Sequence, residues 1–382
     1  MFVTRLLVAL LISAISLSAQ YIHQWDQYFT DHAGDLELNP IPQAAAVDYF
    51  NNVITVGMME YGQSWYSSRY SSRGTHRWTQ TFRPNIATTQ YARAVCTDKN
   101  ASMIITGECF NPSLDKQALT IVKYSQYGEL EFNQMRNDLG GSVGNAICAT
   151  RDGGFVVGGA INNRDNYTDA FVAKYNASNI EVWSNVYSRT TNSGDDVRGI
   201  MIDSEDNIIV MGVGGFGDDY GITVSKFSPY GTVLWRQVVS GGQCLLMLDS
   251  ADNIYLSGRD VGFVDGKPTG YITANKISKK GEILWSKKIE HESGHFFGDA
   301  ALDPQGNMVI VVRKTLVSPA SHTLILCLDS DGKQLWDSEY PTSQFQISYN
   351  SRVVYDGMGS FLVAASVGNV TTSGTIDLGA VQ

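Results

Sequence analysis

Two phrases alternate along this chain, and their period limits the fold more than any other feature. The first is an apolar run, a turn that opens on a polar residue, and a second apolar run that usually ends in glycine. It occurs seven times, as "AAAVDYFNNVITVG", "RAVCTDKNASMIITG", "AICATRDGGFVVG", "GIMIDSEDNIIVMG", "LLMLDSADNIYLSG", "DAALDPQGNMVIVV" and "RVVYDGMGSFLVAA". The turn positions Asp48, Asp98, Thr150, Asp203, Asp249, Asp303 and Asp356 lie 46 to 54 residues apart. The second phrase falls between copies of the first and occurs six times: "RYSSRGTHRW", "KYSQYGELEF", "KYNASNIEVW", "KFSPYGTVLW", "KISKKGEILW" and "CLDSDGKQLW". Each is a strand, a short turn and a strand, with an aromatic four residues after the turn glycine. In the third copy Asn179 replaces that glycine. Glycine and asparagine both tolerate a left-handed backbone, so a tight hairpin with a left-handed turn position accounts for either residue.

Each repeat therefore predicts four short antiparallel strands, A to D, and no segment predicts a helix. Tandem four-stranded units of this length imply a β-propeller; repeated hairpins in an open solenoid are the other solution, usually with shorter repeats. The half-repeats favour the ring. The seventh unit has strands A and B, "GTIDLGAVQ" as strand C, and no strand D. At the other end "YIHQWDQYF", residues 21–29, matches a strand D such as "GEILWSKKI". The expected fold is an all-β, seven-bladed propeller over residues 20–382, closed by 21–29 as the outer strand of the last blade. Closure would remove the exposed sheet edges.

The strand–Asp–turn–strand–Gly phrase followed by K-x4-G-x3-W resembles the seven-bladed β-propeller repeats of bacterial exported and cell-surface proteins. The resemblance covers about residues 21–382; it implies the fold and no particular activity. "CLDSDGKQLW" also resembles the tryptophan-docking motif of quinoprotein-like propellers. Those enzymes have eight blades and adjacent cysteines, whereas seven units and no adjacent cysteines occur here. No cofactor is expected.

"MFVTRLLVALLISAISLSAQ" has an early Arg5, an apolar run and small residues Ser18 and Ala19, so residues 1–19 are expected to be a cleaved signal peptide. An uncleaved anchor is the alternative. The destination would be the periplasm, cell surface or exterior. A net charge of −10 argues against a nucleic-acid partner or an anionic membrane surface, and a monomer is expected. The five cysteines (Cys96, Cys109, Cys148, Cys244 and Cys327) form no C-x-x-C. Most sit in apolar runs, as core residues would.

Three motifs suggest chemistry that their context opposes. "HESGH", residues 291–295, spells the H-E-x-x-H of zinc proteases. That site needs a helix to put both histidines on one face, and here the motif lies between predicted strands. "GVGGFG", residues 212–217, matches a dinucleotide fingerprint but is followed by a loop and a strand. "DSEDN" and "DSADN" offer too few oxygens for calcium; an aspartate opening a turn is expected to bond the backbone two residues on. No metal and no catalytic residues are assigned.

Alternation puts the A–B and C–D turns on one side and the longer B–C and D–A connections on the other, where binding residues tend to lie. The aromatic and polar candidates there are Tyr61, Trp65, Tyr66, Tyr167, Phe216, Asp218, Asp219, Tyr220, Phe263 and Asp265. They suit a protein or carbohydrate partner of the cell envelope or exterior; packing of the loops against each other is the alternative role. The remaining tryptophans recur at one repeat position and are expected to be structural. The function expected is non-enzymatic binding through this face. The alternative is an exported hydrolase or lyase with acidic residues at the funnel, in which Asp218 or Asp219 beside Tyr220 would act.

Overall fold

A computed structural model describes residues 41–59, 63–84, 90–113, 115–162, 167–188, 194–215, 221–242, 244–264, 267–291, 295–315, 321–340, 346–347, 352–355, 359–368 and 376–381. Four strands build each of the first six sheets. The first sheet is β1 (Ile41–Val47), β2 (Val53–Met59), β3 (Ser64–Tyr70) and β4 (His76–Phe82). The second is β5 (Gln90–Thr97), β6 (Met103–Asn111), β7 (Lys116–Tyr124) and β8 (Leu130–Met135). The third is β9 (Ser142–Ala149), β10 (Phe155–Asn162), β11 (Thr168–Tyr175) and β12 (Glu181–Tyr187). The fourth is β13 (Asp196–Ile202), β14 (Ile208–Gly214), β15 (Gly221–Phe227) and β16 (Val233–Val239). The fifth is β17 (Cys244–Leu248), β18 (Ile254–Val264), β19 (Lys267–Ile277) and β20 (Ile283–His291). The sixth is β21 (His295–Leu302), β22 (Met308–Thr315), β23 (Ser321–Leu328) and β24 (Gln334–Tyr340). All six run in simple sequence order with antiparallel pairing. The last group, β25 (Gln346–Ile347), β26 (Arg352–Tyr355), β27 (Phe361–Gly368) and β28 (Ile376–Val381), differs: β27 pairs with each of the other three. Among the described residues the only helical segment is a single 3₁₀ turn, Asn137–Leu139, and no helix is long and apolar enough to cross a membrane. The all-β expectation is met. The proposed signal segment and the closing strand 21–29 lie outside the described residues.

The chain divides into two compact units, one built mainly from the first four sheets and one from the last three. Within the first unit the first strands β1, β5, β9 and β13 lie side by side, each packed on the next. The core lies between sheets. One cluster joins Ile54, Val56 and Trp65 of the first sheet to Met103, Ile105 and Val122 of the second. The next joins Ile104, Leu119 and Ile121 to Phe155, Val157 and Phe171. A third joins Val156 and Val172 to Val197, Ile208 and Phe227. Middle strands are thus covered on both faces: β3 and β15 are buried at every position. Outer strands such as β12 alternate between half-buried and exposed. This is the physical reason that period-two patterning shows clearly only in the outer strands.

A buried ion pair explains why the repeat has both an aspartate and a lysine. In the fourth sheet Asp203 Oδ1 accepts the N–H groups of Glu205 and Asn207, at 2.9 and 2.8 Å. Its Oδ2 meets Lys226 Nζ, from the third strand, at 2.7 Å. The same unit recurs as Asp98–Lys123 at 2.9 Å and, more loosely, Asp249–Lys276 at 4.0 Å; in the first sheet Arg69 pairs with Asp48. The third sheet has Thr150 at the turn position and moves the carboxylate to Asp152, which reaches Lys174 at 2.8 Å. The sixth has Cys327 where the others carry a cation, and its Asp303 is held by the turn and by Asn307. The carboxylates described are therefore occupied by backbone, amide, lysine or arginine, and they bond the backbone two residues on as expected of residues that open turns. Among the described residues no group of acids, histidines and cysteines is placed to hold a metal.

The tryptophans link neighbouring sheets. Trp78 Nε1 donates to the Gln126 carbonyl in the next sheet's outer turn at 3.0 Å. Trp183 donates to Pro229 at 3.1 Å and Trp285 to Ser330 at 3.0 Å. In each case the following turn glycine lies against the indole face: a Cβ added at Gly231 would sit 2.7 Å from Trp183. Gly231 also has φ +86°, so both packing and backbone demand glycine there. The exception fits the same geometry. Asn179, at φ 60°, occupies the turn after the one sheet whose aromatic is Phe132 and not tryptophan. A bulge just before the aromatic, as between the partners of Lys174 and Tyr175, offsets the outer strand from its neighbour at this position.

Candidate functional site

The first strand of a sheet is its inner edge within a unit, and five of these strands share one irregularity. Register slips between Pro42 and Ala44, Ala92 and Ala94, Gly144 and Ala146, Val197 and Gly199, and Phe297 and Asp299. One extra residue is inserted each time: Gln43, Arg93, Asn145, Arg198 and Gly298. All lie five residues before the turn position. A bulge lets residues two apart face opposite ways. Ala92 packs into the cluster between the first and second sheets, whereas Ala94 packs into the one between the second and third. The inserted side chain is released from both cores. Gln43, Arg93 and Arg198 are exposed and Asn145 is half-buried.

Three of these residues, on the adjacent strands β5, β9 and β13, form one polar array. Asn145 Nδ2 donates to Asp196 Oδ1 at 2.6 Å. Arg198 Nη2 meets Asp196 Oδ2 at 2.7 Å. Arg93 grips Glu108 through Nε and Nη2, the latter at 2.6 Å, and its charge also acts on Asp196. The guanidiniums face solvent and the acids lie behind them: side-chain exposure is 41% for Arg93 and 52% for Arg198, against 5% for Glu108 and 16% for Asp196. Burial pushes the Asp196 carboxyl above its usual range, opposed by Arg198, Asn145 and Arg93. Next to it Asp195 is buried, donates its N–H to the Thr168 carbonyl at 2.7 Å, and accepts from Ser188 Oγ at 3.2 Å.

The aromatic candidates fare unevenly. Trp65 and Tyr66 are not loop residues: both lie in β3 and are fully buried. Trp65 packs between the first two sheets and is tilted against Phe82. Burial pushes the Tyr66 hydroxyl up, with Thr55 beside it. "MMEYGQSWYS", residues 58–67, is polar enough to suggest a loop, but its last four residues belong to β3, a middle strand covered on both faces and buried at every position. Tyr167 is 37% exposed. It directly precedes Thr168, whose carbonyl takes the Asp195 amide, so it stands near one end of the array. Phe263 lies in β18 opposite Pro268. Tyr61, Phe216, Asp218, Asp219, Tyr220 and Asp265 fall outside the described residues.

The B–C connections are also shorter than expected, because the strands run further. Residues 259–271 are almost wholly β18 and β19, with only 265–266 between them. The largest exposed aromatics instead cap the tight turns: Tyr49 at 83%, Tyr127 at 75% and Tyr230 at 85%.

The sequence decoys are placed by the backbone. His291 ends β20 and His295 begins β21, so the two do not share a helix face. Gly212 and Gly214 lie in β14, and β15 starts at Gly221. Cys109 and Cys327 are buried, and Cys96 and Cys148 are half-buried. Burial raises all four thiols, to about 12 at Cys109 and about 11 at Cys148 and Cys327. They stay protonated near neutrality and act as small core residues. Cys244 lies on β17.

No family model matches the chain, and no curated protein matches it. Its fold has likenesses among solved structures. The β-propeller domain of the trilobed protease from Pyrococcus furiosus is 10% identical, over 78% of this chain and 82% of that one, with a TM-score of 0.47. The NanB sialidase from Streptococcus pneumoniae is 10% identical, over 94% and 68%, with a TM-score of 0.45. A protein of unknown function from Bacteroides caccae is 13% identical, over 58% and 90%, with a TM-score of 0.33. Identities this low transfer no activity.

Proposed function

We propose that the protein is an exported seven-bladed β-propeller, closed by residues 21–29, that binds a protein or glycan of the cell envelope or exterior. Its binding face is the side where the bulged ends of the first strands meet the B–C and D–A connections. The observation that carries this reading is the Arg93–Asn145–Asp196–Arg198 array. Five bulges recur at one repeat position, and four of them carry a polar residue, Gln43, Arg93, Asn145 or Arg198, withdrawn from the core. Bulges commonly re-aim side chains in this way beside functional sites.

Raised Asp196 lends one observation to the alternative, an exported hydrolase or lyase. A pair of working carboxyls needs both to face the substrate. Glu108 is buried and gripped by two donors of Arg93, which favours binding over catalysis.

The test is retention of the purified mature chain on envelope glycans and on envelope proteins presented separately, compared with Arg198→Ala. Retention by the wild type with a weaker variant supports the reading. Retention that the variant leaves unchanged removes the array from it. Turnover separates binding from catalysis: a binding module releases no product from any material it retains, whereas a hydrolase or lyase would, and would lose that turnover in Asp196→Asn.

A further inference from the structure

This inference deepens the proposed function and rests on it. We propose that Arg93 and Arg198 receive a carboxylate carried by the partner.

The array is layered so that a ligand meets donors. The two guanidiniums are about half exposed, while Glu108 and Asp196 are largely covered. Each arginine keeps donors in hand. Glu108 occupies Nε and Nη2 of Arg93, leaving the Nη1 side open. Arg198 is held by Asp196 through Nη2. A guanidinium has five N–H groups in a planar fork that suits a carboxylate edge, and the buried acids fix how each fork is aimed.

Charge decides which anion fits. Two guanidiniums are balanced by two carboxylates, with the buried Asp195 beside them, so the surface offers oriented hydrogen bonds with no net positive charge. A singly charged, planar carboxylate profits from those bonds. A doubly charged phosphate would bring its second charge against Asp196 and Glu108 without a cation to meet it. Asn145 spends its NH₂ group on Asp196, which leaves its Oδ1 to accept a hydroxyl or N–H next to the carboxylate. The four groups lie on the first strands of three adjacent sheets, each strand hydrogen-bonded within its own sheet and packed on the next, which gives the site a rigid base.

A carboxylate can come from an acidic sugar or from a peptide, and the test separates them. The mature chain is titrated calorimetrically with methyl glucuronide and with acetyl-glycyl-alanine. Methyl glucoside and the peptide amide serve as neutral counterparts, and inorganic phosphate as the competing anion. The expected result is binding of one carboxylate, at least tenfold tighter than its neutral counterpart and tighter than phosphate. Arg93→Lys and Arg198→Lys, which keep charge but lose the fork, should each weaken it at least tenfold. Arg198 is the more exposed of the two, so its lysine variant keeps the test valid should Arg93→Lys fold poorly. Equal binding of the neutral counterpart, preference for phosphate, no binding of either carboxylate, or a Lys variant that binds like wild type would overturn the proposal. Envelope material retained equally by wild type and Arg198→Lys would remove this inference and leave the proposed function standing. No retention by wild type would remove both.

Discussion

Asp203 shows how one carboxylate serves a whole repeat. It caps its own turn through Oδ1 and holds the third strand through Lys226, with 1% and 5% side-chain exposure in the pair. Removing one partner of such a pair strands the other charge, at a cost of about 3 kcal/mol or more. Lys226→Met should therefore lower the urea unfolding free energy by about that much, and adding Asp203→Asn should restore part of it. At Asp152 burial favours the neutral acid, but Lys174, Thr150 and the Gly154 N–H outweigh it and hold the carboxyl at about 2. Asp203 is lowered in the same way. Because the folded values lie below the unfolded value near 3.9, this stability is present above pH 4 and is lost as pH falls toward 2. Urea midpoints measured from pH 6 to pH 2 should fall through that window, and less steeply in Asp152→Asn. The turn aspartates were legible in the sequence as turn formers. Their lysine partners were not, since each pair joins residues more than twenty positions apart across a sheet.

A hairpin in this chain is shaped as much by its neighbour as by its own turn. Gly231 must leave its face open for the Trp183 ring of the preceding sheet while holding a left-handed φ. Gly231→Ala should cost about 2 kcal/mol or more, from overpacking and backbone strain together. Asn179→Gly should change stability by well under that, because the turn keeps its φ and the facing ring is phenylalanine. Chemical denaturation of both variants checks the contrast. The alternation of strands and turns could be read from the sequence because turn residues punctuate it regularly. Bulges could not, since one inserted residue is visible only against the register of a partner strand. The same blindness hid the array of Arg93, Asn145, Asp196 and Arg198. It also put Trp65 and Tyr66 in a loop: a strand buried on both faces loses the alternation that marks strands.

At the scale of the whole molecule, the proposed function rests on seven repeat units closing into a ring. The described strands supply six regular sheets and a seventh group in which β27 pairs with β25, β26 and β28. Residues 21–29 are the outer strand proposed for that group. Deleting residues 20–29 from the mature chain should expose an unpaired edge and give aggregation or a markedly lower thermal midpoint; unchanged stability would contradict closure. The most direct measurement is small-angle X-ray scattering of the mature chain in dilute solution. A closed ring of about 360 residues should give a radius of gyration near the compact-domain value of about 21 Å, with a single short-range distance distribution. A radius well above that value, with a long tail of distances, would mean an open array of hairpins. The ring, and the binding face assigned to it, would then be wrong.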